Sequence, residues 1–375
     1  MPLSYVFQLG REKELSAAEI RAVFSRFHIP HSSFTVHGTC AFVETHEPLD
    51  VSLLMNTLGG TVSIGEEIPG DDPVSTIVSH IMTTQPTGKI HFSVSGSDAP
   101  AIAKEVKKEL KNYERSVRYI EPKNSATILH NNLVERASNF VCLGKKVYVT
   151  RGIQPFESFG ERDFGRPGRD SVRGMLPPKL ARMMLNLAEQ PTTATILDPF
   201  CGSGTILTEA ILLGYTQLIG SDKASAAIHD TKENIAWLKA HANVTASPRL
   251  EIAAAENLGS VFPPRSVDAI VTEPYLGKPL RGNEQKSLLE KQVQELGGLY
   301  VQAFQVFSTL LKPGATVIFL VPSFRDKNSW IRIPCMEKVE KFGFKIQPFS
   351  PESPNLFYAR PDQFVGREIW KLKKI

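Results

Sequence analysis

The chain has 375 residues, which is enough for two domains with separate cores. Apolar residues make up 42% of the sequence and charged residues 22%, a balance that excludes a disordered or fibrous protein. The net charge is only +4, no apolar run reaches the roughly 20 residues of a membrane span, and no basic-then-apolar stretch opens the sequence, so we expect a cytoplasmic protein without a membrane partner.

The first 120 residues have the pattern of a small α+β domain. A helix is expected to begin at Ser16, with Glu19 completing a capping box. Strands are expected at Tyr5–Leu9, Ala41–Glu44 and Lys89–Val94, and a second helix from about Pro100 to Tyr113. A strand, a helix and a basic face could bind RNA, but the same pattern fits any α+β module.

Positive charge is concentrated in the middle of the chain. Residues 104–182 contain 17 lysines and arginines against nine aspartates and glutamates, a local excess of eight positive charges. Such an excess suits a polyanionic partner such as RNA. The alternative is a solvated helix face, which is the commoner meaning of a stretch such as KEVKKELK.

Residues 117–179 are expected to be mostly short extended pieces and loops, with an Arg-, Gly- and Pro-rich connection at 160–174. The predicted domains are therefore 1–155, an α+β module, and 156–375. The four cysteines, at positions 40, 142, 201 and 335, form no Cys-x-x-Cys pair, and the nine histidines lack ligand spacing. We expect reduced thiols and no metal.

After Met175, helices alternate with apolar strands, which predicts a doubly wound parallel sheet with an added C-terminal hairpin. Lys312-Pro313-Gly314 is expected to turn the chain between a helix and a strand. The predicted strands are Ala194–Leu197, Gln217–Gly220, Leu250–Ala253, Val267–Val271, Thr316–Val321, Phe344–Gln347 and Glu368–Leu372. Predicted helices begin near Pro177, after the glycine loop, before Asn234, before Tyr300 and near Met336.

A glycine loop, DPFCGSG, separates the first of these strands from its helix. Its glycines let the backbone approach a ligand, and the helix N–H groups point at that ligand. A carboxylate at the end of the next strand, Asp222, can accept hydrogen bonds from ribose hydroxyls, with Lys223 beside it. The cofactor residues predicted from the loop are Asp198, Pro199, Phe200, Cys201, Gly202, Ser203 and Gly204.

The cofactor is expected to be S-adenosylmethionine rather than a dinucleotide. The G-x-G-x-x-G fingerprint would need glycine where Leu207 stands, and this loop opens with Asp-Pro. Glu256 and Asn257 follow the third strand and are candidates for the adenine contact, although a surface polar pair fits them about as well. Ser203 lacks the context of a nucleophile elbow, so no covalent intermediate is expected.

A second motif, Glu273-Pro274-Tyr275, directly follows the strand Val267–Val271, at the sheet edge where α/β folds place their sites. The lone pair of an exocyclic amine is delocalised into its base, and acceptors on both N–H groups localise it toward the sulfonium methyl. The Glu273 carboxylate and the Pro274 carbonyl supply such acceptors, and Tyr275 offers a face for a flipped base. An ordinary strand-to-loop exit is the alternative for this motif.

The chain resembles the family of tRNA guanosine N2-methyltransferases that act at position 10 of tRNA, which join a THUMP-containing RNA-binding module to a Rossmann-like class I methyltransferase domain. The motifs that carry the resemblance are Arg162-Asp163, Arg166-Pro167, Arg169-Asp170, Gly174–Ala181, DPFCGSG, Tyr358–Pro361 and Arg367-Glu368-Ile369.

This resemblance implies a THUMP-like N-terminal domain and tRNA as substrate, with a small activator subunit in some relatives. It places Met175 to Lys179, including Pro177 and Lys179, beside the methionyl end of the cofactor. The family motif is usually Asp-Pro-Pro-Tyr, where this chain has Glu273-Pro274-Tyr275-Leu276, and the acid expected after the third strand aligns with Ala254.

The leading hypothesis is therefore a guanine-N2 methyltransferase of tRNA. The same motif geometry serves amino methylation of adenine or cytosine in DNA or rRNA. A non-enzymatic RNA-binding relative, whose altered Glu273 motif no longer supports turnover, is the third hypothesis.

Overall fold

The computed structural model describes residues 2–375 except 97, 169–174, 328, 352 and 361–362. The predicted motif residues Arg169, Asp170, Gly174 and Pro361 and the end of the 160–174 connection lie outside the described residues. The chain forms two compact units: the N-terminal unit, Met1–Lys13 with Ile29–Pro155, and the C-terminal unit, Glu14–His28 with Phe156–Ile375. The second unit therefore includes a short segment, Glu14–His28, that interrupts the first unit in the sequence.

The N-terminal unit contains an eight-stranded sheet in the order β2-β3-β1-β4-β8-β7-β5-β6. Neighbouring strands are antiparallel except for β5, which runs parallel to both β6 and β7. Its strands are β1 Leu3–Leu9, β2 Ser33–His37, β3 Cys40–Thr45, β4 Thr61–Ile68, β5 Ile90–Gly96, β6 Val117–Tyr119, β7 Asn139–Leu143 and β8 Lys146–Ile153.

Helix α1, Lys13–Arg26, is followed in the N-terminal unit by α2 Val51–Thr57, α3 Pro73–Thr84, α4 Ala99–Asn112 and α5 Ser125–His130. The α+β pattern expected for this region is present. Val106 and Leu110 on α4 are fully buried, whereas its lysines lie on the exposed face. Helix α4 thus supplies an apolar stripe to the core and positive charge to the surface.

Residues 117–179 were expected to be mostly short extended pieces and loops. The extended pieces are β6, β7 and β8, and β8 pairs with both β7 and β4. The helices at Ser125–His130 and Phe156–Phe164 were not expected. With only six and nine residues, they show little helical periodicity in the sequence.

The capping box predicted at Ser16 was also wrong, because helix α1 begins at Lys13, three residues earlier. Ser16 and Glu19 are buried within the helix. Glu19 Oε1 accepts a hydrogen bond from Asn186 Nδ2 at 2.7 Å, inside the C-terminal unit. A tertiary contact, rather than the helix end, thus accounts for the polar residue at this position.

The C-terminal unit contains a nine-stranded sheet, whose main path has the order β11-β10-β9-β12-β13-β17-β15. Strands β9 to β13 are mutually parallel, and β17 inserts antiparallel between β13 and β15. The strands are β9 Thr195–Asp198, β10 Gln217–Asp222, β11 Arg249–Ile252, β12 Val267–Thr272, β13 Leu311–Asp326, β14 Ser329–Ile331, β15 Phe344–Ile346, β16 Asn355–Tyr358 and β17 Val365–Lys374.

Helices follow the parallel strands as expected for a Rossmann-like α/β domain. They are α6 Phe156–Phe164, α7 Pro178–Leu187, α8 Thr205–Leu212, α9 Ser225–His241, α10 Lys286–Leu310 and α11 Met336–Val339, with short 3₁₀ helices at Ala255–Ser260 and Glu340–Phe342. Separate buried apolar clusters include residues from the two helical layers and the sheet. The fold class predicted from the alternating pattern is confirmed.

Two details of this sheet differ from the prediction. The turn expected at Lys312-Pro313-Gly314 lies within β13, where the register to β12 shifts between Val267 and Ala269 and accommodates the extra residues as a bulge. The short strands β14 and β16 were not predicted.

No helix among the described residues has the length and apolarity needed to cross a membrane.

Candidate functional site

A cavity of about 660 Å³ opens at the carboxyl ends of β9, β10 and β12 in the C-terminal unit. Its volume lies in the range of small-molecule sites, and its position is the one that doubly wound folds use for ligands. The predicted residues that line it are Asp198, Pro199, Phe200, Cys201, Gly202, Ser203, Asp222, Lys223, Glu256, Glu273, Pro274 and Tyr275.

Four other predicted residues, all described, lie outside this lining: Pro177, Lys179, Gly204 and Asn257. Pro177 is the N-cap of α7, and Asn257 lies in the 3₁₀ helix after β11. Lys179 Nζ lies 5.4 Å from the centre of the Phe159 ring, and burial lowers its pKa. Met175 and Leu176, from the same predicted segment, do line the cavity.

The glycine loop between β9 and α8 needs glycine at two positions for different reasons. Gly204 is the N-cap of α8 with φ +81°, and a Cβ there would lie 2.8 Å from Thr231 Cγ2. Gly202 has φ +53°, and a Cβ there would meet nothing within 4 Å. Gly204 therefore permits close packing against α9, whereas Gly202 leaves the cavity side of the loop open.

The Asp222 carboxylate is fixed by backbone donors. Its Oδ2 accepts from the Gly202 N–H at 3.1 Å, and its Oδ1 accepts from the Ala224 N–H at 2.9 Å. Each carboxylate oxygen has a further lone pair. The loop and the end of β10 thus hold an oriented carboxylate on the cavity wall.

Asp198 is buried at the base of the cavity and accepts hydrogen bonds from Thr272 Oγ1 at 2.7 Å and from the Phe200 N–H at 3.3 Å. Burial, followed by the nearby carboxylates of Asp222 and Glu273, raises the pKa of Asp198 to about 7. These three are among the five carboxyl side chains of the described residues that line the cavity, together with Asp230 and Glu256. This grouping favours a positively charged ligand.

Glu273 follows β12 directly and forms an ion pair with Arg367 of β17, with 2.7 Å between Oε1 and Nε. Sequence reasoning placed Arg367 in a motif but gave it no role. The neighbouring Tyr275 side chain is 46% exposed and lines the cavity, so its ring is available to a ligand. The buried Tyr300 hydroxyl donates to the Tyr275 carbonyl at 2.6 Å and fixes the backbone beneath that ring.

Tyr300 and Arg166 are supporting residues to which the sequence analysis gave no role, although Tyr300 lies in a predicted helix and Arg166 in a motif of the resemblance. Arg166 Nη1 donates to Thr205 Oγ1 at 2.6 Å, and its Nη2 lies 3.2 Å from Met175 Sδ. Thr205 and Met175 both line the cavity. A buried tyrosine hydroxyl usually has a hydrogen-bond partner. The position of Tyr300 among apolar residues of a predicted helix therefore indicated that its hydroxyl would contact a polar group.

Nucleophilic chemistry at Cys201 is disfavoured, because burial raises the pKa of its thiol well above the ordinary value. The described part of the chain contains no cluster of three or more histidine, cysteine, aspartate or glutamate side chains arranged for a metal ion. The groups the cavity offers are carboxylates, backbone N–H and C=O groups, and aromatic faces.

Residues 166–347 match the UPF0020 family model, described as an RMKL-like methyltransferase domain. The tRNA (guanine(10)-N2)-dimethyltransferase of Methanothermobacter thermautotrophicus is 32% identical over 158 residues, 42% of each chain. The enzyme of the same name from Pyrococcus abyssi is 31% identical over 189 residues, 48% of this chain and 54% of the relative. The chain thus spans about half the length of the curated relatives it matches.

The structure of TrmN from Thermus thermophilus is similar over 99% of this chain and 100% of that one, with a TM-score of 0.55 and 17% sequence identity. At this identity, the likeness establishes the fold alone.

Proposed function

We propose that this protein transfers a methyl group from S-adenosylmethionine to the exocyclic N2 of guanosine in tRNA, at position 10. The match of residues 166–347 to the model of an RMKL-like methyltransferase domain supports this reaction class. The observation that carries this proposal is the placement of Glu273, Pro274 and Tyr275 on the same cavity as the glycine loop and Asp222. The names of the relatives support the choice of acceptor.

The cavity fits S-adenosylmethionine on its own geometry. Asp222 retains acceptor capacity for two ribose hydroxyls, and the open side of Gly202 admits a ligand close to the backbone. The carboxylates of Asp198 and Glu273 complement a sulfonium charge. When bound, the cofactor supplies an electrophilic methyl group and a neutral thioether leaving group.

The acceptor amine is held by groups at the end of β12. The Glu273 carboxylate and the Pro274 carbonyl accept its two N–H groups, which directs the nitrogen lone pair toward the methyl. The exposed face of Tyr275 stacks on the flipped base. As the N–C bond forms, the nitrogen becomes positively charged, and its surplus proton leaves along the hydrogen bond to Glu273.

The N-terminal unit is proposed to be a THUMP-like module that binds tRNA. Lys104, Lys107 and Lys111 lie on the exposed face of α4. Elsewhere in the unit, Arg118 lies opposite His91 on the neighbouring strand. Burial and then the positive charges of Arg136, Arg118 and Lys89 lower the pKa of His91. Clustered cations suit a phosphate backbone.

The direct test is incubation of unmodified tRNA with the protein and S-adenosylmethionine labelled in its methyl group, followed by mass spectrometry of the nucleosides. Labelled N2-methylguanosine or N2-dimethylguanosine at position 10 is expected. Label in adenosine or cytidine, or in rRNA or DNA alone, would contradict the proposed acceptor. Cofactor binding without transfer, alone or with candidate activator subunits, would favour a non-enzymatic RNA-binding protein.

The affinity for S-adenosylmethionine relative to S-adenosylhomocysteine should rise with pH. Asp198 is largely protonated below its pKa of about 7 and ionised above it, and only the sulfonium cofactor carries the charge that the ionised form attracts. If the sulfonium charge lowers the pKa of Asp198 by about one unit, the ionised form binds the cofactor about tenfold more tightly than the protonated form. We therefore expect the affinity ratio to rise by up to about 10-fold between pH 6 and 8. Calorimetric titrations with both ligands measure it.

The matched variant for this measurement is Asp198→Asn, which keeps an oxygen acceptor for Thr272 but cannot ionise. Its affinity ratio should be independent of pH over the same range. A wild-type ratio that stays flat, or an identical slope in the variant, would show that Asp198 does not sense the cofactor charge.

A further inference from the structure

We infer that Arg367 is a positioning residue for Glu273, fixing its carboxylate in the orientation that accepts the substrate amine. This inference rests on the proposed function. The two side chains meet at 2.7 Å between Arg367 Nε and Glu273 Oε1, and they are only 7% and 13% exposed. An ion pair this sheltered is little screened by solvent and holds its geometry.

Arg367 reaches Glu273 across the sheet. It lies on β17, where it is opposite Pro322 of β13 and Tyr358 of β16, while Glu273 follows β12 on the other side of β13. Arg367 Nη1 also donates to Gln363 Oε1 at 3.4 Å. This second hydrogen bond helps to fix the guanidinium that pairs with the Glu273 carboxylate.

The backbone that carries Arg367 is fixed by close packing at the preceding residue. A Cβ on Gly366 would lie 2.4 Å from Phe357 Cζ and 3.1 Å from Trp330 Cζ3. Glycine thus lets two aromatic rings lie directly against β17. The start of the Arg367 side chain consequently has little freedom to shift.

The arrangement also assigns different tasks to the two carboxylate oxygens of Glu273. Oε1 accepts from Arg367. Oε2 remains for the N–H group of the incoming guanine. Glutamate at this position is one methylene longer than aspartate, and the longer side chain brings its carboxylate to Arg367 Nε.

The test is a kinetic cycle on the full chain with tRNA as substrate. Arg367→Met should lower kcat by about 100-fold, the scale expected when a reacting group is misplaced by about 1 Å, while the KM for S-adenosylmethionine and tRNA change by less than about threefold. Arg367→Lys, which keeps the charge without the planar fork, should retain about a tenth of the wild-type kcat.

The decisive arm places the same change in a Glu273→Asp background, where the shorter carboxylate is withdrawn from Arg367. There, Arg367→Met should cost little further activity. An equal loss in both backgrounds, or a kcat for Arg367→Met within about threefold of wild type, would overturn the inference. If the methionine variant does not fold, the lysine variant completes the same cycle.

Arg332→Met is the matched control, since Arg332 also pairs with a β17 carboxylate, that of Glu368, but its side chain is 62% exposed. Its kcat should remain within about twofold of wild type. Wild-type protein that methylates no guanosine would instead refute the proposed function, so the two failures are distinguishable.

Discussion

Glu273→Gln lowers kcat for methyl transfer to tRNA by about 1000-fold and leaves the affinity for S-adenosylmethionine within about twofold of wild type. This is the expected result, because glutamine replaces the anionic acceptor of the amine proton with a neutral amide, and loss of one preorganised transition-state partner costs about 100- to 1000-fold. Glutamine keeps an oxygen for Arg367 Nε, so the fold around the site should persist. Single-turnover transfer with labelled cofactor gives kcat, and calorimetry gives the affinity.

The matched control for this change is Glu295→Gln, which removes an exposed carboxylate of α10 that pairs with Lys291. That variant should have wild-type kcat. Transfer by Glu273→Gln at a rate close to wild type would mean that the amine is activated elsewhere, and the assignment of the motif after β12 would be wrong.

Asp222→Ala should weaken binding of S-adenosylmethionine by at least about 100-fold. Hydrogen bonds to a charged group contribute about 1.5–3 kcal/mol each, and every 1.4 kcal/mol is a tenfold change in affinity. The variant removes the acceptor for two ribose hydroxyls and also releases the N–H groups of Gly202 and Ala224. Calorimetric titration with S-adenosylmethionine measures the loss directly.

Since Asp222 also organises the glycine loop, circular dichroism and the thermal midpoint should accompany that titration. Asp71→Ala, at an exposed carboxylate of the N-terminal unit, is the control and should bind the cofactor like wild type. Unchanged affinity in Asp222→Ala would place the ribose elsewhere and would remove the main argument for the cofactor's orientation.

The methyltransferase fold was predictable because its evidence is local. Each βα unit of the C-terminal sheet is indicated in the sequence by an apolar strand, a turn and an amphipathic helix within about 30 residues. The glycine loop and Asp222 belong to two consecutive units of this kind, so their meeting at one sheet edge follows from parallel strand order. Glu273 was found by the same rule, at the end of the adjacent strand β12.

The errors in prediction also have a common cause. Ser16 and Glu19 match a capping box, yet helix α1 starts earlier and Glu19 pairs with Asn186, which is 167 residues away. Strands β7 and β8 belonged to a region expected to hold short extended pieces and loops, but their places in the sheet beside β5 and β4 depend on strands that are distant in the sequence. Local patterns cannot register a partner that only the folded chain supplies.

The sequence by itself determined the parallel strands, the glycine loop and the carboxylates around it, since strand ends and turns place these groups wherever the fold forms. Only the tertiary structure decided how Glu273 is held. Arg367 lies 94 residues later and reaches it because β17 inserts beside β13. Tyr300, on α10, donates to the Tyr275 carbonyl, a contact that the predicted apolar face of the helix did not identify. Such contacts depend on strand order and packing, which are properties of the whole chain.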